Sequence, residues 1–363
     1  MVELAGESSE APDTPRRRPP VVLVPLVLVA VVVFASFNLV LPYYALAPGS
    51  ATQVNDLIEV PDDRSHPPDG KVLFTTVSLY PARPVDALVG WIRSDTELIP
   101  REKLLPPETT SDEYRELNAE LMDESKQTAI VVALRRLGYA VSAKGEGALV
   151  VQALDGFPAA RELKSGDVIT AVDGKPVSLF DDTVRAIRLH APGERVRLDV
   201  RSPDASTRTV EIGLTENPQV AGEAFLGAQM RTSKPAYDTP FPVSIRTSNV
   251  GGPSAGLAFT LALIDQLTAG ELTGGRKVAV TGTISLDGTV GDVGGVAQKT
   301  RAVQAAGSKV FLVPPGEFEE AKRAAGGDVQ ILKVATLQEA LDALGGLGGD
   351  LRALGPAPDP PRG

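Results

Sequence analysis

A serine in a turn rich in glycine and proline is the first candidate for chemistry in this sequence. Ser254 lies in the run Gly252-Pro253-Ser254-Ala255-Gly256, directly before an apolar segment that predicts a helix. Glycine allows a sharp turn, Pro253 presets the first helical dihedral, and the N–H groups of a first helical turn have no partner within the helix. The pattern indicates an exposed hydroxyl with an oxyanion site formed by the backbone of Gly252, Pro253 and Ala255.

The same pattern is also typical of a loop whose serine only caps the following helix. Ser254 would then accept a backbone N–H and do no chemistry. Short motifs match by chance often enough that the local sequence leaves both interpretations open. The choice between them depends on the residue that would activate the hydroxyl.

Few side chains in this sequence can act as that base. The chain has no cysteine and only two histidines, His66 in a loop rich in proline and aspartate and His190 in a basic segment. The lack of cysteine excludes thiol catalysis, disulfides and thiolate metal sites, and nothing else in the sequence predicts a metal or a cofactor. A serine far from both histidines would use a lysine instead.

Lys299 is a lysine in an apolar context, on the first turns of a predicted helix over Val296–Ala306. A lysine on an amphipathic helix is most often a solvated surface residue, so this position alone does not select it. A lysine acts as a base only when neutral, so its pKa would have to fall from about 10.4 toward neutrality. Burial and the positive end of the helix after Ser254 would both lower it.

Net charge and motif content argue against two classes of partner. The formal charge of −10 disfavours a nucleic acid. The glycine-lysine pairs that begin at Gly70 and Gly174 are followed by Val72 and Pro176, whereas a phosphate-binding loop needs serine or threonine there. A nucleotide is therefore not expected either.

The N-terminal region predicts a membrane anchor. Residues 1–20 are polar, contain three consecutive arginines and are expected to form a disordered cytoplasmic tail. Val21 to Leu41 is apolar over the length of about 20 residues that spans a bilayer, with Tyr43 and Tyr44 at the far interface. Pro48 directly follows a sequence that resembles a cleavage site, which favours an uncleaved, single-pass anchor in the cell membrane. The remainder would be extracytoplasmic.

Residues 45–124 predict a membrane-proximal α/β region that frames the next domain. A strand is expected at Lys71–Leu79, a short helix with the single tryptophan at Pro84–Ile92, and a longer helix at Ser111–Leu137. The region contains no candidate for chemistry.

Residues 125–215 change to short strands and tight turns. Strands are expected at Ala148–Ala153 and Arg195–Arg201, with a helix near Phe180–Leu189. This segment resembles the PDZ family in three runs: Pro158-Ala159, Ser165-Gly166-Asp167-Val168-Ile169 and Val172-Asp173-Gly174-Lys175-Pro176-Val177.

The PDZ resemblance implies a groove in which an extended peptide adds a strand to a sheet edge beside a helix. The residues assigned to the groove are Val184, Ile187 and Arg188 on the helix and Leu137, Gly138 and Tyr139 in the turn that would hold the peptide carboxylate. The alternative is that the domain is a rigid spacer.

Residues 220–345 predict an α/β domain around Ser254, and residues 346–363 a disordered tail rich in glycine and proline. The expected elements are a strand at Phe241–Ser248, the helix after Ser254 with its stop at Gly270, a strand at Val278–Leu286, a hairpin turn at Asp287-Gly288, the helix that carries Lys299, and a strand at Lys309–Val313.

This half is similar to the proteolytic domain of the Lon family, in order and spacing over about residues 225–335. The matching elements are Gly252-Pro253-Ser254-Ala255-Gly256, Leu272-Thr273-Gly274-Gly275, Thr281-Gly282-Thr283-Ile284, Asp287-Gly288-Thr289-Val290-Gly291, Gly294-Gly295-Val296 with Lys299, and Ala306-Gly307 before Phe311-Leu312-Val313-Pro314. The resemblance implies that Ser254 is the nucleophile, Lys299 the general base, and Thr281 the hydroxyl that helps to hold the lysine. The whole chain resembles the membrane-anchored, PDZ-containing, YlbL-like branch, and members with Lon-like domains commonly form hexameric rings.

Two functions are compatible with this α+β multidomain sequence. In the first, the protein is an ATP-independent, membrane-anchored serine endopeptidase that cleaves unfolded or flexible extracytoplasmic proteins, with a PDZ domain that captures or gates the substrate. In the second, it is a catalytically silent membrane-tethered PDZ scaffold with a Lon-like assembly domain. Retention of Ser254, Lys299 and Thr281 favours the enzyme.

Overall fold

The computed structural model describes residues 25, 34, 36–86, 96–104, 110–218, 222–247 and 250–355. The predicted tail at 1–20, residues 356–363 of the predicted tail at 346–363, most of the predicted anchor at Val21–Leu41, and Trp91 lie outside these residues. The described part of the C-terminal tail is ordered, contrary to the prediction: Arg352–Leu354 form a 3-10 turn, and Leu354 is buried in the core. Within the described ranges, no helix is both long enough and apolar enough to cross a membrane. The chain divides into two compact units, one with the described residues of 1–48 and 77–109 and the other with those of 49–76 and 110–363.

The strands of the described residues are, in chain order, β1 (Tyr43–Gln53), β2 (Ile58–Glu59), β3 (Lys71–Pro81), β4 (Glu97–Pro100), β5 (Ser142–Lys144), β6 (Ala148–Ala153), β7 (Val168–Val172), β8 (Lys175–Pro176), β9 (Arg195–Arg201), β10 (Thr207–Gly213), β11 (Thr215–Glu216), β12 (Ala224–Phe225), β13 (Ala228–Thr232), β14 (Ala236–Asp238), β15 (Ser244–Ile245), β16 (Lys277–Val280), β17 (Thr283–Ile284), β18 (Val290–Gly291), β19 (Val310–Val313) and β20 (Gln330–Lys333). The helices are α1 (Arg101–Leu104), α2 (Ser111–Arg136), α3 (Ala159–Glu162), α4 (Phe180–Ile187), α5 (Gly256–Gln266), α6 (Val296–Ala305), α7 (Phe318–Ala325) and α8 (Leu337–Gly346).

The first unit is built on an antiparallel pair of strands. The start of β1 pairs with β4, with Tyr43 opposite Pro100 and Leu46 opposite Glu97. Tyr44, predicted from the sequence at a membrane interface, is buried in this ladder, and Tyr43 is exposed.

The larger unit contains a parallel sheet in which β3, β16, β19 and β20 lie side by side. Side chains alternate between the two faces of a strand, and both faces of this sheet are covered. One face packs Val278 and Val280 against α2, α5 and α8, and the other packs Ala279 and Phe311 against α6 and α7. Burial on both faces explains the continuous apolar runs of β16 and β19.

Helix α2 belongs to this α/β core although it precedes the PDZ-like segment. It begins with a capping box in which Thr110 accepts the N–H of Glu113 and the Glu113 carboxylate accepts the N–H of Thr110. Ala129, Ile130, Val132, Ala133 and Leu134 are buried in the same cluster as α5. The segment that the sequence predicts to frame the next domain therefore helps to form the α/β core itself, as β3 does.

A second hydrophobic core lies under the sheet of order β10-β9-β7-β6-β13. The predicted strands Ala148–Ala153 and Arg195–Arg201 are confirmed, and the predicted helix α4 ends at Ile187. β13 is an edge strand of this sheet, and the Phe180 N–H at the start of α4 donates to Thr232 Oγ1 at its end, 3.1 Å away.

Two predicted strands are wrong in extent. Of the described residues 241–247, Ser244 and Ile245 alone pair as a strand. The strand cannot begin earlier as predicted, because Pro242 has no N–H to donate to a ladder. The predicted strand Val278–Leu286 is interrupted after Val280 and resumes as β17, which forms the predicted hairpin with β18 across Asp287-Gly288.

Candidate active site

The serine turn leads directly into helix α5, as the sequence predicts. Gly252 has a φ of +85°, a conformation that a residue with a side chain rarely adopts. The helix begins at Gly256 and is buried from there to Asp265, so its first turn is fixed by the core. It ends at Gln266, four residues before the predicted stop at Gly270. Ser254 itself is half-buried at the start of this helix.

Lys299 is buried rather than solvated. Its side chain on α6 is 2% exposed, and Nζ donates a hydrogen bond to Thr281 Oγ1 at 3.1 Å. Thr281 Oγ1 in turn donates to the backbone oxygen of Ser254 at 3.2 Å, and the Gly282 N–H donates to the same oxygen at 3.0 Å. The structure thus links Lys299 to the Ser254 backbone through Thr281, while Ser254 Oγ and Lys299 Nζ are not hydrogen-bonded.

The surroundings of Lys299 favour its neutral form. Burial lowers the pKa of Lys299 to about 8, and the Glu317 carboxylate acts in the opposite direction. Among the described residues, Nζ has one hydrogen-bond acceptor, Thr281 Oγ1. An ammonium group has three N–H donors, so the charged form would leave donors unpaired. A lysine with a pKa near 8 is partly neutral at physiological pH and can accept a proton.

Glu317 is a residue of this site that sequence reasoning missed. Its Oε1 accepts the N–H of Val293 at 2.9 Å, in the loop that leads into α6, and its Oε2 is buried without a partner. It comes after β19, at the end of a separate turn, and no local pattern signals its approach to Lys299. Only the folding of β19 beside β16 brings it there.

The backbone groups assigned to the oxyanion site differ in what they can do. The Gly252 N–H donates to the Asn118 carbonyl at 2.7 Å, and Pro253 has no N–H. The N–H groups of Ser254 and Ala255 have no acceptor among the described residues. These two donors stand at the positive end of α5, where an anion is stabilised.

Removing the Thr281 hydroxyl is expected to slow catalysis without unfolding the protein. Thr281→Val keeps the shape but leaves Lys299 Nζ without its acceptor. For the peptide cleavage that the resemblance to the Lon family implies, we expect kcat to fall about 10- to 100-fold. Thr281→Ser keeps the hydroxyl and should stay within about threefold of wild type. Equal rates for the valine and serine variants, measured on a fluorogenic peptide, would contradict the role of Thr281.

The predicted peptide-groove residues fall into two separate places. Ile187 is buried, Val184 is partly buried, and Arg188 is exposed and pairs with Glu223 at 3.2 Å. These three residues are on or directly after α4, beside the edge strand β13.

The turn Leu137-Gly138-Tyr139 packs on the main α/β core rather than at α4. Leu137 and Tyr139 pack against the main core cluster, and the Tyr139 ring lies edge-on to Phe241 with centroids 5.2 Å apart. Arg64 Nη1 donates to the Tyr139 hydroxyl at 3.4 Å.

A different turn lies at the end of α4 and was missed in the sequence. Phe225-Leu226-Gly227 leads into β13 and begins two residues after Glu223, the partner of Arg188. Gly227 has a φ of +82°, and a Cβ there would lie 2.2 Å from Phe157 Cβ. A glycine between apolar residues before a strand is the available sequence signal.

Comparison with known proteins identifies two domains by sequence. The profile of the PDZ domain matches residues 135–214, and that of the Lon protease (S16) C-terminal proteolytic domain matches residues 247–344. Lon protease 2 of Bacillus subtilis is 33% identical over 95 residues, 26% of this chain and 17% of that protein. Lon protease of Vibrio parahaemolyticus is 36% identical over 93 residues, 25% of this chain and 12% of that protein.

Solved structures match the smaller domain. The PDZ domain of an SdrC-like protein from Listeria monocytogenes is 24% identical to the aligned part of this chain. The alignment covers 23% of this chain and 87% of the Listeria chain, with a TM-score of 0.22. The chain covers less than a fifth of the length of the two Lon proteases. The two profile matches show that the chain contains a PDZ domain and a Lon-type proteolytic domain.

Proposed function

We propose that this chain is an ATP-independent, membrane-anchored serine endopeptidase that hydrolyses peptide bonds in unfolded or flexible extracytoplasmic proteins. The observation that carries the proposal is the burial of Lys299, held by Thr281 beside the Ser254 turn at the start of α5. A buried lysine with a lowered pKa has little structural value, because burying its charge costs stability. Its presence is accounted for by general-base chemistry.

Catalysis begins when substrate binding brings Ser254 Oγ into contact with Lys299 Nζ. The neutral amine accepts the hydroxyl proton while Oγ attacks the carbonyl carbon of the scissile peptide bond. The oxyanion that forms is stabilised by the N–H groups of Ser254 and Ala255. The Lys299 ammonium then protonates the leaving amine, and the neutral lysine activates the water that hydrolyses the acyl-enzyme.

The PDZ domain is proposed to capture the substrate between β13 and α4. The free edge of β13 would pair with an extended peptide, and Val184 and Ile187 would contact its side chains. The peptide carboxylate would be held at the turn Phe225-Leu226-Gly227, because this turn and Arg188 lie at the same end of the groove. This placement replaces Leu137-Gly138-Tyr139 as the proposed carboxylate turn.

The membrane anchor at Val21–Leu41 and the extracytoplasmic location are supported by the sequence pattern of the N-terminal region. Assembly into a homo-oligomeric ring is also proposed, from the resemblance of the sequence to relatives with Lon-like domains. Chemical crosslinking of intact cells, with protease accessibility from each side of the membrane, tests both statements.

Cleavage of a denatured protein by the full chain in lipid nanodiscs tests the proposed activity. We expect fragments to accumulate at the same rate with and without ATP, and to be absent with Ser254→Ala and Lys299→Ala. If all three proteins leave the substrate equally intact, the chain is a scaffold rather than an enzyme.

A charged residue in the proposed groove should weaken peptide capture but not cleavage chemistry. Val184→Glu places an anion against the bound peptide and is expected to raise the Kd of a peptide with an apolar C-terminus about tenfold or more. Val151→Glu is the matched control, because Val151 is 45% exposed on a strand of the same sheet. If fluorescence anisotropy shows that Val184→Glu leaves the Kd unchanged, the proposal that the peptide binds between β13 and α4 is wrong.

A further inference from the structure

Helix α2 contacts the serine turn from outside the matched proteolytic segment. Residues 111–136 precede the PDZ domain, whereas the Lon-type match begins at residue 247. Two hydrogen bonds join them: the Gly252 N–H donates to the Asn118 carbonyl at 2.7 Å, and Ser125 Oγ donates to the Pro253 carbonyl at 3.0 Å. The turn is thus held on both sides of the Gly252–Pro253 peptide bond.

The glycines of the serine turn allow this close approach. A Cβ at Gly251 would lie 2.8 Å from Asn118 Cβ, and a Cβ at Gly256 would lie 2.9 Å from Ser125 Oγ. Distances under about 3 Å would force one of the two elements to move. The close packing of α2 on the turn therefore depends on glycine at positions 251 and 256.

The hydrogen bond of Ser125 is not the usual one for a serine inside a helix. Such a hydroxyl commonly donates to the carbonyl four residues earlier in its own helix. Ser125 is 6% exposed and donates instead across the packing interface to Pro253. The side chain therefore helps to orient one peptide group of the serine turn, the one between Pro253 and Ser254.

That peptide group carries the Ser254 N–H. The described residues contain no cis peptide bond, and in a planar trans peptide the C=O and N–H point in opposite directions. Because the Pro253 carbonyl points at Ser125, the Ser254 N–H points away from α2. It has no acceptor among the described residues, in agreement with a donor that faces substrate.

We propose that Ser125 is a positioning residue that orients the Ser254 N–H as an oxyanion donor. The inference rests on the proposed peptidase function and adds a role for a helix outside the matched Lon-type segment. Ser125 does not touch the substrate. Together with the Gly256 N–H, which donates to the same oxygen at 3.3 Å, it fixes the Pro253 carbonyl and therefore the plane of the peptide group whose N–H meets the oxyanion.

The test compares Ser125→Ala with wild type and a matched control in the full chain. Removing an oxyanion donor costs about 10²- to 10³-fold in kcat, and releasing its orientation should cost less, about tenfold. We expect kcat to fall by that factor with KM within twofold, and the inhibition constant of a peptide aldehyde to rise by the same factor. Ser308→Ala is the control, since Ser308 Oγ is a buried hydroxyl that donates to the Lys277 carbonyl at 2.8 Å, at the other end of β16 from Thr281.

A purely structural role would give a different result. It would lower the melting temperature of Ser125→Ala and Ser308→Ala alike and leave kcat unchanged, which would overturn the proposal. Ser125→Cys, which keeps the size but donates weakly, should give an intermediate kcat if the alanine variant folds poorly. If wild type shows no cleavage that depends on Ser254, the proposed function fails together with this inference; if only the Ser125 variants behave as wild type, this inference alone fails.

Discussion

Replacing Ser254 with alanine is expected to reduce kcat for peptide cleavage by on the order of 10⁴-fold or more. Removing the nucleophile of a serine peptidase leaves only the contribution of substrate binding and the oxyanion donors. Ser254 Oγ makes no hydrogen bond among the described residues, so the free energy of unfolding should change by less than about 0.5 kcal/mol. Fluorogenic peptide hydrolysis, with urea unfolding in parallel, measures both quantities.

The same variant should retain bound substrate. Because the groove, Lys299 and the oxyanion donors are untouched, an unfolded protein should bind to Ser254→Ala with the wild-type Kd and remain intact. Ser285→Ala, in the exposed turn of the β17–β18 hairpin, is the control and should cleave at the wild-type rate. Cleavage by Ser254→Ala within tenfold of wild type would exclude Ser254 as the nucleophile.

Much of the site could be predicted because its signals are local. A serine among glycines before an apolar run marks a helix start, and the structure places α5 there. The helix with Lys299 begins at Val296 as predicted. In both cases the residues that decide the structure lie within one or two turns of the functional side chain, so a short window contains the information.

Other features depend on contacts between distant segments. Ser125 and Pro253 are 128 residues apart, and the periodicity of α2 indicates an apolar face without identifying what covers it. For the same reason the sequence pattern predicts that α2 belongs to a framing region and the PDZ-like segment, although it packs on α5. A glycine between apolar residues is compatible with a carboxylate-binding turn and with a turn packed on a core, so the sequence of Leu137-Gly138-Tyr139 does not distinguish the two. The fold does, because Tyr139 packs on Phe241.

Lys299→Met is expected to abolish activity and to stabilise the protein at neutral pH. Without the amine no base accepts the Ser254 proton, and we expect kcat to fall about 10³-fold or more. Burial lowers the pKa of Lys299 from its ordinary 10.5 to about 8, so the charged form opposes folding. That shift corresponds to roughly 3 kcal/mol at most, and the lost hydrogen bond to Thr281 returns about 1 kcal/mol. The free energy of unfolding of Lys299→Met should therefore exceed that of wild type by about 2 kcal/mol at pH 7.

The pH dependence of both effects follows from the same titration. Below pH 8 the native and unfolded chains both carry the proton, and the native state bears the full cost of the buried charge. Between pH 8 and 10.5 the native lysine is neutral while the unfolded one is still charged, so wild type gains stability and the advantage of Lys299→Met disappears. Wild-type kcat/KM should rise through the same pKa of about 8, because only the neutral amine is a base.

Urea unfolding at pH 7 and pH 10, with peptide hydrolysis across that range, measures the two effects on one pair of proteins. Lys309→Met is the control, since Lys309 is exposed directly before β19 and its replacement should change neither stability nor rate. A buried lysine kept only for packing would give a variant that is more stable and equally active. A surface lysine would give a variant that is equally active and no more stable than wild type. A stabilised and inactive Lys299→Met chain is therefore the result that ties the cost of burying this amine to its use as a base.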